Sequence, residues 1–184
     1  MRKFIVLLCM LVIGIAAAGC GGLAGKNMFT EPGEMTKIIE QLKSRDELKG
    51  KDIYVFQDVT VFYNKDIGGN CITMEIVKPG TEDVDHYEYK HGSWSGPQPV
   101  QITGSGNIMD NVIPLAELHM DKLAEMYKAA ETKAKEIEGL KVEQTVVYRF
   151  WDGGWTLLMS AASDRAKYDI EFDLNGNMIE FEKR

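Results

Sequence analysis

The residues able to do chemistry are few, and their spacing does not assemble a catalytic set. Of the three histidines, His86 and His91 fall on opposite faces of a strand, and His119 has no second ligand at i+4. No HExxH or CxxC spacing is present, so a zinc site is not expected. Asp173-Leu174-Asn175-Gly176-Asn177 offers oxygens at positions one, three and five of a calcium loop. Its glycine stands at four rather than six and no glutamate follows at twelve, whereas an Asn-Gly hairpin turn accounts for the same residues. In Gly92-Ser93-Trp94-Ser95-Gly96 a tryptophan takes the place where a nucleophile elbow needs serine. Gly104-x-Gly106 lacks the third glycine of a dinucleotide turn. No nucleophile is paired with a base. No catalytic residue, metal or cofactor is therefore assigned, and the chain is expected not to be an enzyme.

Aromatic and thiol placement is what remains. Trp94 sits in a Gly/Ser/Pro-rich stretch with little core to bury it, Trp151 is out of phase with the apolar face of its strand, and Trp155 lies one turn further on. Exposed tryptophans are enriched at binding hot spots, so Trp94, Trp151 and Trp155 form the candidate binding surface; packing at the edge of the core is the alternative. Cys71 lies in a strand whose apolar set is Ile72, Met74 and Ile76, which puts the thiol on the face of Thr73 and Glu75. With no neighbouring cation or histidine to activate it, an inert thiol is expected rather than a reactive one.

The amino terminus carries the most specific signal. Arg2 and Lys3 precede an apolar run from Phe4 to Ala18, closed by Gly19-Cys20. This is the pattern of an export signal, and its run of about fifteen residues is short of the ~20 that span a bilayer. The ending Ala17-Ala18-Gly19-Cys20 resembles the lipobox of bacterial lipoproteins. The resemblance implies cleavage between Gly19 and Cys20, a diacylglyceryl thioether on Cys20, and usually an acylated amine. Two or more acyl chains give stable anchoring where one is marginal. Residues 1–19 are then the signal peptide, and residues 20–29 the lipidated cysteine with a glycine-rich flexible tether. With Gly21 as the second mature residue, the resemblance implies the outer membrane in a Gram-negative host. In a single-membrane bacterium it implies the outer face of the plasma membrane.

Removing Arg2 and Lys3 from 21 cations leaves 19 against 28 Asp+Glu, a net charge of −9. Such an acidic chain is not expected to bind nucleic acid or anionic headgroups. Cys9 leaves with the signal and Cys20 takes lipid, so no disulfide framework supports the fold and the core must suffice alone.

The elements read as a divergent repeat. Thr30-Glu31-Pro32-Gly33-Glu34 opens a helix with Met35, Ile38, Ile39 and Leu42 at helical spacing, and Gly50 closes it. Strands follow at Asp52–Tyr63, Cys71–Val77 and Val84–Lys90, with Val100–Thr103 as a possible fourth. After the hinge Gly104-Ser105-Gly106-Asn107 the pattern restarts. A helix capped by Asp110 or Asn111, with Pro114 in its first turn, is expected to run to Gly139. Its stripe is Ile113, Ala116, Met120, Leu123, Tyr127, Ala130, Ala134 and Ile137, expected to lie on a sheet. Strands at Val142–Trp151, Trp155–Ala162 and Ala166–Asp173 and a final hairpin at Asn175-Gly176 complete the second half.

The expected fold is α+β, with two α-β-β-β(-β) repeats at residues 30–104 and 105–184, each a helix on an antiparallel meander. This order resembles the tandem repeats of β-lactamase-inhibitor-protein-like and PepSY-like extracytoplasmic modules, and the run Tyr168–Phe181 is similar to their closing hairpin. The functional expectation is a lipid-anchored, non-catalytic binding or inhibitory module. It is held by membrane lipid through Cys20 and directed at an envelope or secreted protein. An assembly lipoprotein docking its long helix into an envelope complex is the alternative, and an envelope hydrolase a third.

Overall fold

The computed structural model describes residues 25–104, 106–151 and 154–184. The expected signal, Gly19, Cys20 as the expected acylation site, and the first part of the tether lie outside the described residues. So do Ser105 of the hinge, Asp152 and Gly153.

Each half of the chain runs from a helix into a four-strand meander. In the first, α1 (Glu34–Lys43) leads to β1 (Tyr54–Asn64), β2 (Gly69–Val77), β3 (Val84–Lys90) and β4 (Ser93–Pro99). A short strand, β5 (Val112–Pro114), precedes α2 (Leu123–Ala134). Then come β6 (Lys141–Trp151), β7 (Gly154–Ala162), β8 (Lys167–Phe172) and β9 (Met178–Lys183). All strands join one antiparallel sheet in the order β4-β3-β2-β1-β6-β7-β8-β9, with β5 on β1. The two first strands meet at the middle, Val59 opposite Tyr148 and Val61 opposite Val146.

Strand alternation decides which face receives the helices. Val55, Val59, Val61, Ile72, Met74, Ile76, Val146, Tyr148, Leu157, Met159, Ile170 and Phe172 share one face. They form a single core with Met35, Ile38 and Leu42 of α1 and Leu123, Met126 and Ala130 of α2. Val55 and Val59 stay in phase because the detour of β1 between Phe56 and Thr60, where Gln57 adopts φ 55°, adds an even number of residues, two. β6 makes the same two-residue detour between Val142 and Val146. An odd insertion would turn the rest of the strand inside out.

Four expectations are corrected. The second helix begins at Leu123, not near Asn111. Val112–Pro114 pairs with Tyr54–Phe56 as β5, and 3₁₀ turns at Leu115–Leu118 and Met120–Lys122 fill the gap. His119, at φ 45°, stands between those turns rather than on a helix. The apolar stripe misled because a spacing of three serves a 3₁₀ turn as well as a helix. Ile113, Met120, Leu123, Tyr127, Ala130 and Ala134 are indeed buried, but Ala116 is exposed. The first helix ends at Lys43, and successive turns carry the chain to Gly50. The fourth strand is Ser93–Pro99, upstream of Val100–Thr103. Its prolines are tolerated because β4 is an edge.

The last correction concerns the tether, which was expected to run free to residue 29. Met28 and Phe29 are fully buried. Asn70, itself buried, donates to the Lys26 carbonyl at 2.8 Å and accepts from Met28 N–H at 3.1 Å. Asn27 Nδ2 donates to Gln144 at 3.1 Å, and the Phe29 ring stands edge-on to Tyr127 at 5.4 Å. The chain is gripped by β2, β6 and α2 from Lys26 onward.

Candidate functional site: the helix-free face of the sheet

Both helices cover one face of the sheet, so the other is open across most of its width. One register row crosses it from β4 to β9: Ser95, Glu88, Thr73, Thr60, Val147, Leu158, Glu171 and Glu180. The centre of this row is apolar, and half-buried Phe62 adds to it. At one corner the crossing segment between β4 and β5 covers the face. There Phe56, Val77 and Val84 form a second cluster with Tyr54, Val100, Ile108 and Val112.

The β8–β9 end of the open face is acidic. Asp169 lies opposite Glu182 and Glu171 opposite Glu180. The Glu180 carboxyl is held above its ordinary range by its hydrogen bond to Glu182 and by the charges of Glu182, Glu171 and Asp169. Arg184 relieves only Asp169, donating from Nε to both carboxylate oxygens at 2.7 and 2.6 Å. Asp169 is accordingly held below the usual carboxylate range. At the centre, Arg149 Nε bonds Asp58 at 3.1 Å, beside the point where β1 exchanges β6 for β5 as its partner.

The three tryptophans do not share a surface. Trp94 belongs to β4 rather than a loop and is only 9% exposed. Its indole N–H donates to the Ile38 carbonyl of α1 at 2.8 Å, and its ring packs on Tyr89 at 5.4 Å. This removes Trp94 from any accessible site. The flanking Gly/Ser/Pro composition misled: Arg45 spans from α1 to β4 and donates to the carbonyls of Trp94 and Gly96 at 2.9 and 2.5 Å. Gly96 is required there, because a Cβ would stand 2.5 Å from the His86 carbonyl. Trp155 is on the helix side with Leu157 and Met159, against Phe150 at 5.7 Å. Trp151 alternates with buried Tyr148 and so lies on the open face, 75% exposed.

Two adjoining grooves of ≈ 520 and ≈ 320 Å³ lie between α1 and Pro114–Asp121, with Lys43, Leu115 and Ala116 in both walls. Neither pairs a nucleophile with a base. Among the described residues no group of three or more His, Cys, Asp or Glu is arranged to hold a metal. Asp173 is engaged by its own hairpin, accepting from Asn177 N–H and Nδ2 at 2.8 and 2.9 Å. Cys71 is 1% exposed, and burial pushes its thiol upward. Burial, with some help from Asp121, likewise raises the phenol of Tyr148, whose hydroxyl has no partner among the described residues.

Sequence reasoning missed the acidic row and the residues that hold the amino-terminal segment. The first was visible in the period-two spacing of Asp169, Glu171, Glu180 and Glu182. Asn70 and Gln144 carry no local signal, since their partners lie 42 and 117 positions away.

No protein-family model matches the chain, and no curated protein matches it in sequence. Among solved structures it is similar to a candidate lipoprotein from Clostridium difficile 630, at 16% identity and a TM-score of 0.44, over 88% of this chain and 98% of that one.

Proposed function

We propose that this chain is a lipid-anchored extracytoplasmic binding module of a bacterial envelope, without catalysis, that meets its partner through the helix-free face of the sheet. The observation that carries this reading is Trp151. A tryptophan 75% exposed at the end of β6, on the face that also carries half-buried Val147 and Leu158 beyond Arg149 and Thr156, is costly to solvate and unexplained by packing. The anchor rests on the sequence: the short apolar run and the Ala17-Ala18-Gly19-Cys20 ending.

The module is built from two diverged copies of one helix-and-meander unit. A shift of 87 positions carries Val55, Val59, Val61 and Tyr63 onto Val142, Val146, Tyr148 and Phe150. The β1–β6 register is self-complementary about Thr60 and Val147 under that shift, and the two-residue detours of β1 and β6 agree under it to within one position. The resemblance to tandem inhibitor-like and PepSY-like modules points the same way.

The test places a photo-crosslinking residue at position 151, and separately at Gln41 on the exposed side of α1, in cells making the full chain. A discrete adduct from 151 and none from 41 is expected. Trp151→Ala should weaken the recovered complex by at least ~2 kcal/mol, about thirtyfold. Adducts from 41 alone would transfer the site to the helix side. Radiolabelled fatty acid in wild type but not in Cys20→Ser tests the anchor separately.

A further inference from the structure

The two edges of the sheet are treated differently. In antiparallel ladders hydrogen-bonded residues alternate, so every second residue of an edge strand turns its N–H and C=O outward. On β4 the outward carbonyl of Trp94 is occupied by Arg45 Nη1 at 2.9 Å, and Arg45 Nη2 takes the Gly96 carbonyl at 2.5 Å. Pro97 and Pro99 have no N–H to offer. That edge is closed to an added strand.

On β9 neither device is present. Arg184 N–H donates inward to Lys167 O at 2.9 Å, which fixes the alternation: Glu180 and Glu182 bond β8, and Phe181 and Lys183 turn outward. No proline lies between Met178 and Arg184. Among the described residues no side chain bonds those outward groups. One face of this edge carries Glu180 and Glu182, backed by Glu171 and Asp169. The other carries half-buried Phe181, stacked on Tyr168 at 5.4 Å. A shallow groove of ≈ 560 Å³ lies between α2 and Met178, its lining shared between Ala129, Thr132 and Met178 and the charged Glu125, Lys128 and Lys133. Ile179, the extra residue of the β9 bulge, is 58% exposed.

We propose that β9 accepts an extended segment of a partner protein as a tenth strand, with lysine or arginine alternating with apolar residues. Backbone bonds to Phe181 and Lys183 supply the pairing. The cationic side chains meet Glu180 and Glu182, and the apolar ones cover Phe181 and enter the groove beside α2. The uncompensated carboxylates select the occupant: like charges directly opposite destabilise a sheet. A second copy of the chain, paired antiparallel through Phe181, would set Glu180 against Glu182. This edge is separate from the Trp151 surface, and its failure would leave that reading intact.

The probe is a synthetic decapeptide of alternating lysine and valine, titrated by fluorescence anisotropy against the full chain in detergent. Backbone amide exchange is followed in parallel. Binding should slow exchange at Phe181 and Lys183 at least tenfold. Lys183→Pro, which removes an outward N–H and no bond to β8, should weaken binding at least tenfold. Glu180→Lys with Glu182→Lys should lose the lysine peptide and gain its glutamate–valine counterpart. A peptide N-methylated on the pairing edge should fail against unaltered protein, so the result does not depend on a variant folding. Equal binding by wild type and Lys183→Pro, or unchanged exchange at both amides, would reduce the contact to charge alone and overturn the proposal. Slow exchange at these amides without peptide, in a dimer that Lys183→Pro disrupts, would overturn it in favour of self-pairing.

Discussion

Replacing Trp94 and Trp151 separates a tryptophan that holds the fold from one that does not. Trp94→Ala deletes a nearly buried indole together with its bond to Ile38 and its contact with Tyr89. Large-to-small aromatic substitutions in a core cost ~3–5 kcal/mol. For a domain of this size each kcal/mol shifts the melting temperature by roughly 2–4 °C, so a fall of ~6–20 °C is expected. Trp94→Phe keeps most of the volume and loses the N–H donor. Ile38 O retains its place in the α1 ladder, so this variant should lose only about 1 kcal/mol beyond a small cavity term. Trp151→Ala removes a side chain that is three-quarters in water and should stay within ~0.5 kcal/mol of wild type. Urea titration followed by far-ultraviolet circular dichroism reads all three. The reasoning fails if Trp151→Ala is destabilised as much as Trp94→Ala, or if Trp94→Ala leaves the midpoint unmoved.

Leu123→Ala, at a fully buried position where α2 meets the core, should lose ~2–5 kcal/mol by the same titration. Ala116→Ser, exposed on a 3₁₀ turn, should lose almost nothing. Cys71 should resist an aromatic disulfide reagent in native protein at pH 8 and react fully in urea, because burial removes both access and thiolate. Arg184 lowers the Asp169 carboxyl, so the pair's stabilisation is present above the unfolded carboxylate range near ~3.9 and is lost as pH falls through the lower folded value. With Asp169 47% exposed the effect is at most about 1 kcal/mol. Arg184→Ala should flatten the urea midpoint below about pH 4, and an unchanged acid slope would refute the pairing.

Legibility followed the range of the interactions. Strands β1, β2, β3, β6, β7 and β8 were readable because alternation is a local property, and Ile72, Met74, Ile76, Leu157, Met159 and Ile170 all face the core as their spacing requires. The hairpin at Asn175-Gly176 was readable for the same reason. The start of α2 was not, since what excludes Val112–Pro114 from a helix is a strand 58 positions earlier, which offers them a ladder at Tyr54–Phe56. Trp94 was misjudged because composition describes what surrounds a residue in sequence. Its surroundings in space are Ile38, Tyr89 and the backbone under Arg45. Phase alone puts Trp151 off the apolar face and Trp155 in line with Leu157 and Met159, and the structure has both there.

The amino-terminal grip gives the proposed anchor a direction. Six Cα–Cα steps lead from Cys20 to Lys26, whose carbonyl Asn70 already holds, so a fully extended tether reaches at most ~22 Å. Asn27 meets β6 at Gln144, and Trp151 lies seven positions further along that strand, at most about 23 Å away and less by the detour that ends at Val146. Because β1 and β6 are antiparallel, the Asn64–Gly69 turn is at the tethered end and Trp151 at the other. Tryptophan also settles at headgroups, and tether geometry is what separates that role from protein recognition. A single-tryptophan chain, Trp94→Phe with Trp155→Phe, reconstituted in vesicles, reads the difference. Acrylamide in the water should quench Trp151 strongly, and spin-labelled headgroups in the bilayer should leave it bright. Quenching by the lipid label would lay the open face on the membrane and refute a partner arriving from solution.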